Sequence, residues 1–178
     1  LAKSYQIDGV DIEATAERSG AMQVSEKRTY KFDGDYTFAY REILKTASGR
    51  SAPYKINNLA VCEINGCYRQ LLINEITTAD NTKPPGTFYV KDLGDRYYVK
   101  WFYRSSSGTK VFDFRYRIEN AVTRQMDVDE IYWQFIGTAW EIDQENVVAT
   151  LTIPWGIDDS GIRAWGHGPL SGVVNIPN

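Results

Sequence analysis

The chain has 178 residues, of which 43% are hydrophobic and 13% aromatic, with a formal net charge of -3 and a pI of about 5.2. That length and apolar content suit one domain with its own core and exclude an intrinsically disordered chain. The charges are interspersed without a basic stripe, so nucleic acid is not expected as a partner, and neither a basic amphipathic segment nor an apolar run of about 20 residues supports contact with or passage through a membrane.

The first residues are Leu1-Ala2 rather than Met, so the sequence reads as a fragment or a mature form. The opening stretch alternates around Tyr5 and Ile7, then Val10, Ile12 and Ala14, which predicts a strand. A turn signal follows at 18–20. "AMQVSEKRTYKF" is a second strand with Val24, Tyr30 and Phe32 on one parity. "DGD" at 33–35 is a hairpin signal, and "YTFAYREIL" predicts the returning strand.

Loops rich in Gly, Pro, Ser and Asn surround "INNLAVCEINGCYRQLLINEI", which predicts two short strands around Cys62 and Cys67. If Asn65-Gly66 is a two-residue turn, Cys62 lies diagonal to Cys67 and too far for a good bridge. If Glu63 to Gly66 form a four-residue loop, the cysteines face each other and form a disulfide, the reading we favour. "TFYVKDLGDRYYVKWFYR" predicts strand, turn and strand. "KVFDFRYRI" alternates cleanly, with Phe112, Phe114, Tyr116 and Ile118 on one face.

"MDVDEIYWQFIGTAW" predicts a strand covered on both faces. Trp133 is a core residue in this reading, and Gly137 marks a bulge or a close backbone approach. Asp127, Asp129 and Glu130 read as a solvated approach to that strand. "ENVVATLTIPWG" is a last strong strand, and "GVVNI" a short closing one. Many short strands separated by turns, with no long helical periodicity, predict an all-β antiparallel sandwich, immunoglobulin-like or jelly-roll, with few or no helices.

Three stretches carry a family resemblance: Y-x-I, G-x-x-x-V-x-E, Y-x-F-D-G-x-Y and Y-R-E-I within residues 5–43, F-R-Y-R-I at 114–118, and D-E-I-Y-W, G-x-x-W and V-x-x-T-L-T-I-P-W-G within 129–156. Together they resemble the extracytoplasmic N-terminal domain of the predicted membrane proteins of domain of unknown function 2207 (YciQ-like). Ser19-Gly20 departs from the Asp-Gly of that pattern, which affects a turn. The resemblance implies a β domain, residues 1–178, cut from a larger protein that membrane helices hold at the cell membrane. It implies no chemistry.

Glu26 and Arg41 lie in the matched motifs. With Asp33-Gly34 as a two-residue turn, Glu26 falls directly opposite Arg41, predicting a partly buried cross-strand ion pair, with a ligand-binding arginine as the alternative. Trp140, Trp155, Asp158, Trp165 and His167 are the weak ligand-site candidates, because aromatics in loops suit a binding platform. His167 is the only histidine, so zinc is discounted, and neither a nucleophile elbow nor a phosphate loop occurs. No cofactor, metal or catalytic residue is expected. The expected function is a non-enzymatic, extracytoplasmic interaction module for a cell-envelope polymer or a protein partner. A jelly-roll carbohydrate-binding module and a carboxylate-dependent glycoside hydrolase are the alternatives.

Overall fold

The computed structural model describes residues 3–46, 52–76, 82–137, 140–153 and 161–176. Strands β1 (Ser4–Ala16) and β2 (Met22–Asp33) form a long antiparallel pair, joined by the predicted turn at 18–20. The shift of buried parity in β1, from Ile7 to Val10, coincides with a register irregularity between Ile7 and Gly9. Next come β3 (Tyr36–Leu44), β4 (Lys55–Glu63) and the short β5 (Gly66–Cys67) and β6 (Arg69–Gln70). Then β7 (Thr87–Asp92), β8 (Arg96–Ser105) and β9 (Gly108–Glu119) supply the central aromatics. The chain closes with β10 (Val122–Arg124), β11 (Asp129–Ile131) and β12 (Val147–Thr152).

These strands make a six-stranded sheet, ordered β12-β1-β2-β9-β4-β5, a four-stranded sheet, ordered β3-β8-β7-β6, and a small β10-β11 hairpin. The fold is therefore all-β and mostly antiparallel, with parallel pairing at β1-β12 and β6-β7. A short 3-10 turn covers Ile73–Glu75.

The two large sheets pack face to face. Met22, Val24, Tyr30 and Phe32 of β2 and Phe112, Phe114, Tyr116 and Ile118 of β9 are buried, as their alternation predicts. Against them stands Trp101 of β8, fully buried, its ring edge-on to Phe114 at 4.8 Å between centroids and to Phe112 at 5.5 Å. Such edge contacts suit the aromatic quadrupoles and add to the area buried.

Three expectations are overturned. First, β2 and β3 are not hairpin partners: β2 pairs with β1 and β9, while β3 pairs with β8 in the other sheet. The segment Asp33-Gly34-Asp35 carries the chain between sheets. Gly34 adopts φ +101°, and a Cβ there would come within 3.1 Å of Lys3 Cγ. Second, the strand expected through Trp133 stops at Ile131. Residues 132–137 run without strand structure across the core, where Trp133, Phe135 and Ile136 are partly buried. Backbone pairing, not hydrophobicity, defines a strand, and this apolar run covers the sandwich instead of joining a sheet. Third, "GVVNI" forms no strand and is exposed. The last strand expected before it is present as β12, exposed and paired in parallel at the edge of its sheet.

Candidate functional site

The inward parity of β2 carries two charges among its apolar residues. Glu26 and Arg28 are both 0% exposed. A bulge in β3 between Tyr36 and Phe38 turns Ala39, Arg41 and Ile43 toward the core, so Arg41 meets Glu26 from the opposite sheet. The Glu26–Arg41 pair thus exists across the two sheets, and the in-sheet register that predicted it does not.

Glu26 is saturated. Arg28 Nε and Nη2 donate to its Oε2 at 3.2 and 2.6 Å, Arg41 Nη1 donates to Oε2 at 2.7 Å and Arg41 Nη2 to Oε1 at 3.2 Å, and the Tyr116 hydroxyl donates to Oε1. Burial alone pushes this carboxyl up. The two guanidinium groups and the hydrogen bonds outweigh burial and hold it below its ordinary value. Burial and the neighbouring Arg41 lower Arg28, against the pull of Glu26. Burial also opposes the charge on Arg41, but Glu26 more than compensates, and its value is raised.

The segment after β11 closes this network. Arg28 Nη1 donates to Gln144 Oε1, its Nη2 approaches the Phe135 carbonyl at 3.5 Å, and its guanidinium lies 4.7 Å from the Trp140 ring. Trp140, a ligand candidate in the sequence, thus packs inside on Arg28. Trp133 stands edge-on to Tyr54 at 4.9 Å, and the Tyr54 hydroxyl donates to the Tyr132 carbonyl.

A cleft of about 180 Å³ opens beside Arg41, lined by Leu44, Tyr54, Trp133, Gln134 and Gly137 among others. Gly137 makes no strand bulge. Its φ is not positive, and a Cβ would meet only ordinary contacts, at 3.8 Å from Trp140 Nε1 and 3.9 Å from the Glu42 carbonyl. Arg41 Nε and Trp133 Nε1, on two residues of this lining, are closed to solvent and have no hydrogen-bond partner among the described residues. A second cleft of about 340 Å³, bordered by Asn57, Asn58, Gln70 and Tyr97, has no such unpartnered atom in its lining.

The remaining candidates do not converge here. Trp155 and Asp158 lie outside the described residues. Trp165 is 75% exposed and His167 is exposed. The cysteines form a disulfide. Their turn is Ile64-Asn65, with Glu63 opposite Gly66, so Cys62 and Cys67 face each other across a two-residue loop shifted by one from Asn65-Gly66. Among the described residues no cluster of three or more His, Cys, Asp and Glu side chains is arranged to hold a metal ion.

Sequence reasoning missed Arg28, Gln144 and the Trp133 cleft. Arg28 had a signal, since it shares the parity of Val24, Glu26 and Tyr30. Gln144 had none: its role depends on where an irregular segment lies.

Fold and network define a two-sheet β domain whose sheets are joined by a buried Arg-Glu-Arg cluster. The chain belongs to the family described as the N-terminal domain of predicted membrane proteins, domain of unknown function 2207, whose model matches residues 6–176. No curated protein matches the chain. Among the described residues, no helix is long and apolar enough to cross a membrane.

Proposed function

We propose that this chain is a non-catalytic binding domain of a membrane protein, displayed on the extracytoplasmic side, which takes a cell-envelope polymer or a protein partner at the Arg41–Trp133 cleft. The observation that carries this reading is the cleft itself, about 180 Å³, which gathers Arg41, Tyr54, Trp133 and Gln134 at one opening. A concave site that combines aromatic rings with a few polar side chains suits a small piece of a larger ligand. Membership of a predicted membrane protein family and the Cys62–Cys67 disulfide support the extracytoplasmic placement, because such bonds persist in oxidising compartments. The non-catalytic reading is supported by Glu26, the most buried carboxylate, which is enclosed and fully used by five donor groups from Arg28, Arg41 and Tyr116.

The test is intrinsic tryptophan fluorescence against soluble envelope glycans and peptidoglycan fragments, with Trp133→Phe as the control. A saturable change that the control loses supports the cleft as the site. An unchanged signal in the variant would move binding elsewhere, and no response to any fragment would leave the reading without a ligand in that class.

A further inference from the structure

We infer that β12 is an assembly edge, on which a second copy of this chain pairs its own β12 in antiparallel fashion and continues the six-stranded sheet across a two-fold axis. The inference is independent of the Arg41–Trp133 cleft. All of Val147–Thr152 is exposed, with Val147 at 41%, Val148 at 58% and Leu151 at 38%, and no strand pairs with its outer side among the described residues. An open edge is a template for another strand, and proteins blunt such edges by shortness, bulges, charge or proline. The other sheet edges carry such protection: β5 and β6 are two residues each, and β3 has a bulge and the charges of Arg41 and Glu42. β12 has none of it. Its sequence, VVATLT, holds no charge, proline or glycine, and its register with β1 runs without a shift.

The backbone fixes how two copies meet. The Val10 amide donates to the Asn146 carbonyl at 3.4 Å, so the following amide, that of Val147, points away from β1. Along a strand this direction alternates, which turns the N–H and C=O groups of Val147, Ala149 and Leu151 to the free edge. Antiparallel pairing centred on Ala149 engages all three: Ala149 bonds its own copy, and Val147 exchanges bonds with Leu151 of the other chain. Residues opposite each other share a face, so the Val147 and Leu151 side chains also pack together. Both have the inward parity of their β1 partners, Val10 and Ala14, which are buried, yet both stand exposed in a single copy. A second copy suits this edge because the contact is self-complementary and brings no like charges together. The neighbouring charges on β1, Asp11 and Glu13, would lie about 14 Å or more from those of the other copy, three strand spacings away and beyond a screening length of about 8 Å. One strand pairing is a small interface and is weak in dilute solution. The chain belongs to a family of predicted membrane proteins, and copies that share one membrane meet at a raised effective concentration.

The experiment joins cross-linking to sedimentation. Cys62 and Cys67 are bonded to each other and are the chain's two cysteines, so Ala149→Cys supplies its one free thiol. In the pairing described, the two Cα atoms at position 149 lie about 5.5 Å apart, within disulfide reach, while those at position 150 lie about 8 Å apart, outside it. Mild oxidation of concentrated protein should convert most of Ala149→Cys to a covalent dimer and leave Thr150→Cys mostly monomeric. Sedimentation equilibrium of the unaltered chain should show its mass rising from 20.3 kDa toward twice that value with concentration. Ala149→Pro removes an outward N–H that β1 does not use, and should weaken association by roughly tenfold or more. Retained near-UV circular dichroism shows that this variant is folded, and the cysteine variants remain decisive if it is not. Equal cross-linking of the two cysteine variants, a mass of one chain at every concentration, or undiminished association of folded Ala149→Pro would overturn the inference. A chain that stays monomeric but takes up an unrelated alternating Val-Thr peptide at this edge would assign the edge to a foreign strand and overturn self-pairing.

Discussion

Replacing Glu26 by Gln keeps the side-chain volume but removes the carboxylate that Arg28 and Arg41 share. Every group that reaches Glu26 is a donor: Arg28 Nε and Nη2, Arg41 Nη1 and Nη2, and the Tyr116 hydroxyl. The amide nitrogen of Gln would face donors, and two guanidinium charges would remain buried together. Breaking a buried pair by removing one partner costs about 3–5 kcal/mol. A domain holds about 5–15 kcal/mol in total, so this change removes a large share of it. With a urea slope of about 2 kcal/mol/M, the unfolding midpoint of Glu26→Gln should fall by about 2 M with the slope unchanged. The triple replacement Glu26→Leu, Arg28→Met, Arg41→Met removes all three charges at once and should be neutral or stabilising by up to about 4 kcal/mol. Tryptophan-monitored urea titration measures both. A Glu26→Gln midpoint within experimental error of wild type would refute the view that this network is desolvated and coupled.

Tyr30→Phe removes a buried hydroxyl that has no hydrogen-bond partner among the described residues and should leave stability unchanged or raise it by about 1 kcal/mol, a loss above that in thermal unfolding counting against the assignment. The Cys62→Ala, Cys67→Ala double variant opens a short loop, with a sequence separation of 5, and should lose about 2 kcal/mol in the same urea assay. Acid should destabilise the domain. Glu26 is held below its ordinary value in the folded state, and Glu17, hydrogen-bonded by Arg117, is lowered to about 2, so both contributions are complete above about pH 4.3 and decline as pH falls below it, that of Glu17 toward about 2. Alkali should do the same from the other side: burial raises Tyr116 well above its ordinary value and Tyr98 to about 12, so stability is intact below about pH 10 and falls as pH rises beyond it. Circular dichroism across pH, with a plateau between these limits, checks both signs.

The strands of the two main sheets were legible where one face is buried and the other wet. Phe112, Phe114, Tyr116 and Ile118 alternate with polar residues, and the period alone identifies the inward face. Strand partners were less legible. The Asp-Gly signal at 33–34 marks a turn correctly, but a turn does not say whether the chain re-enters the same sheet or crosses to the other, and here it crosses. The same ambiguity placed Trp133 in a strand. An apolar run is buried whether it pairs in a sheet or lies over the core, and only the backbone partners decide. Glu26 and Arg41 were singled out by their motifs, while the in-sheet register that joined them is not the reason they meet. The cleft was invisible because it depends on Arg41, Tyr54 and Trp133, which are brought together from three separate parts of the chain.

The most direct test of the proposed site is a crystal structure of the domain soaked with a soluble peptidoglycan fragment. The fragment is expected in the cleft against Tyr54, Trp133 and Gln134, with both terminal nitrogens of Arg41 still on Glu26. A structure in which the fragment settles away from the Arg41–Trp133 cleft, or in which Arg41 has left Glu26, would contradict it.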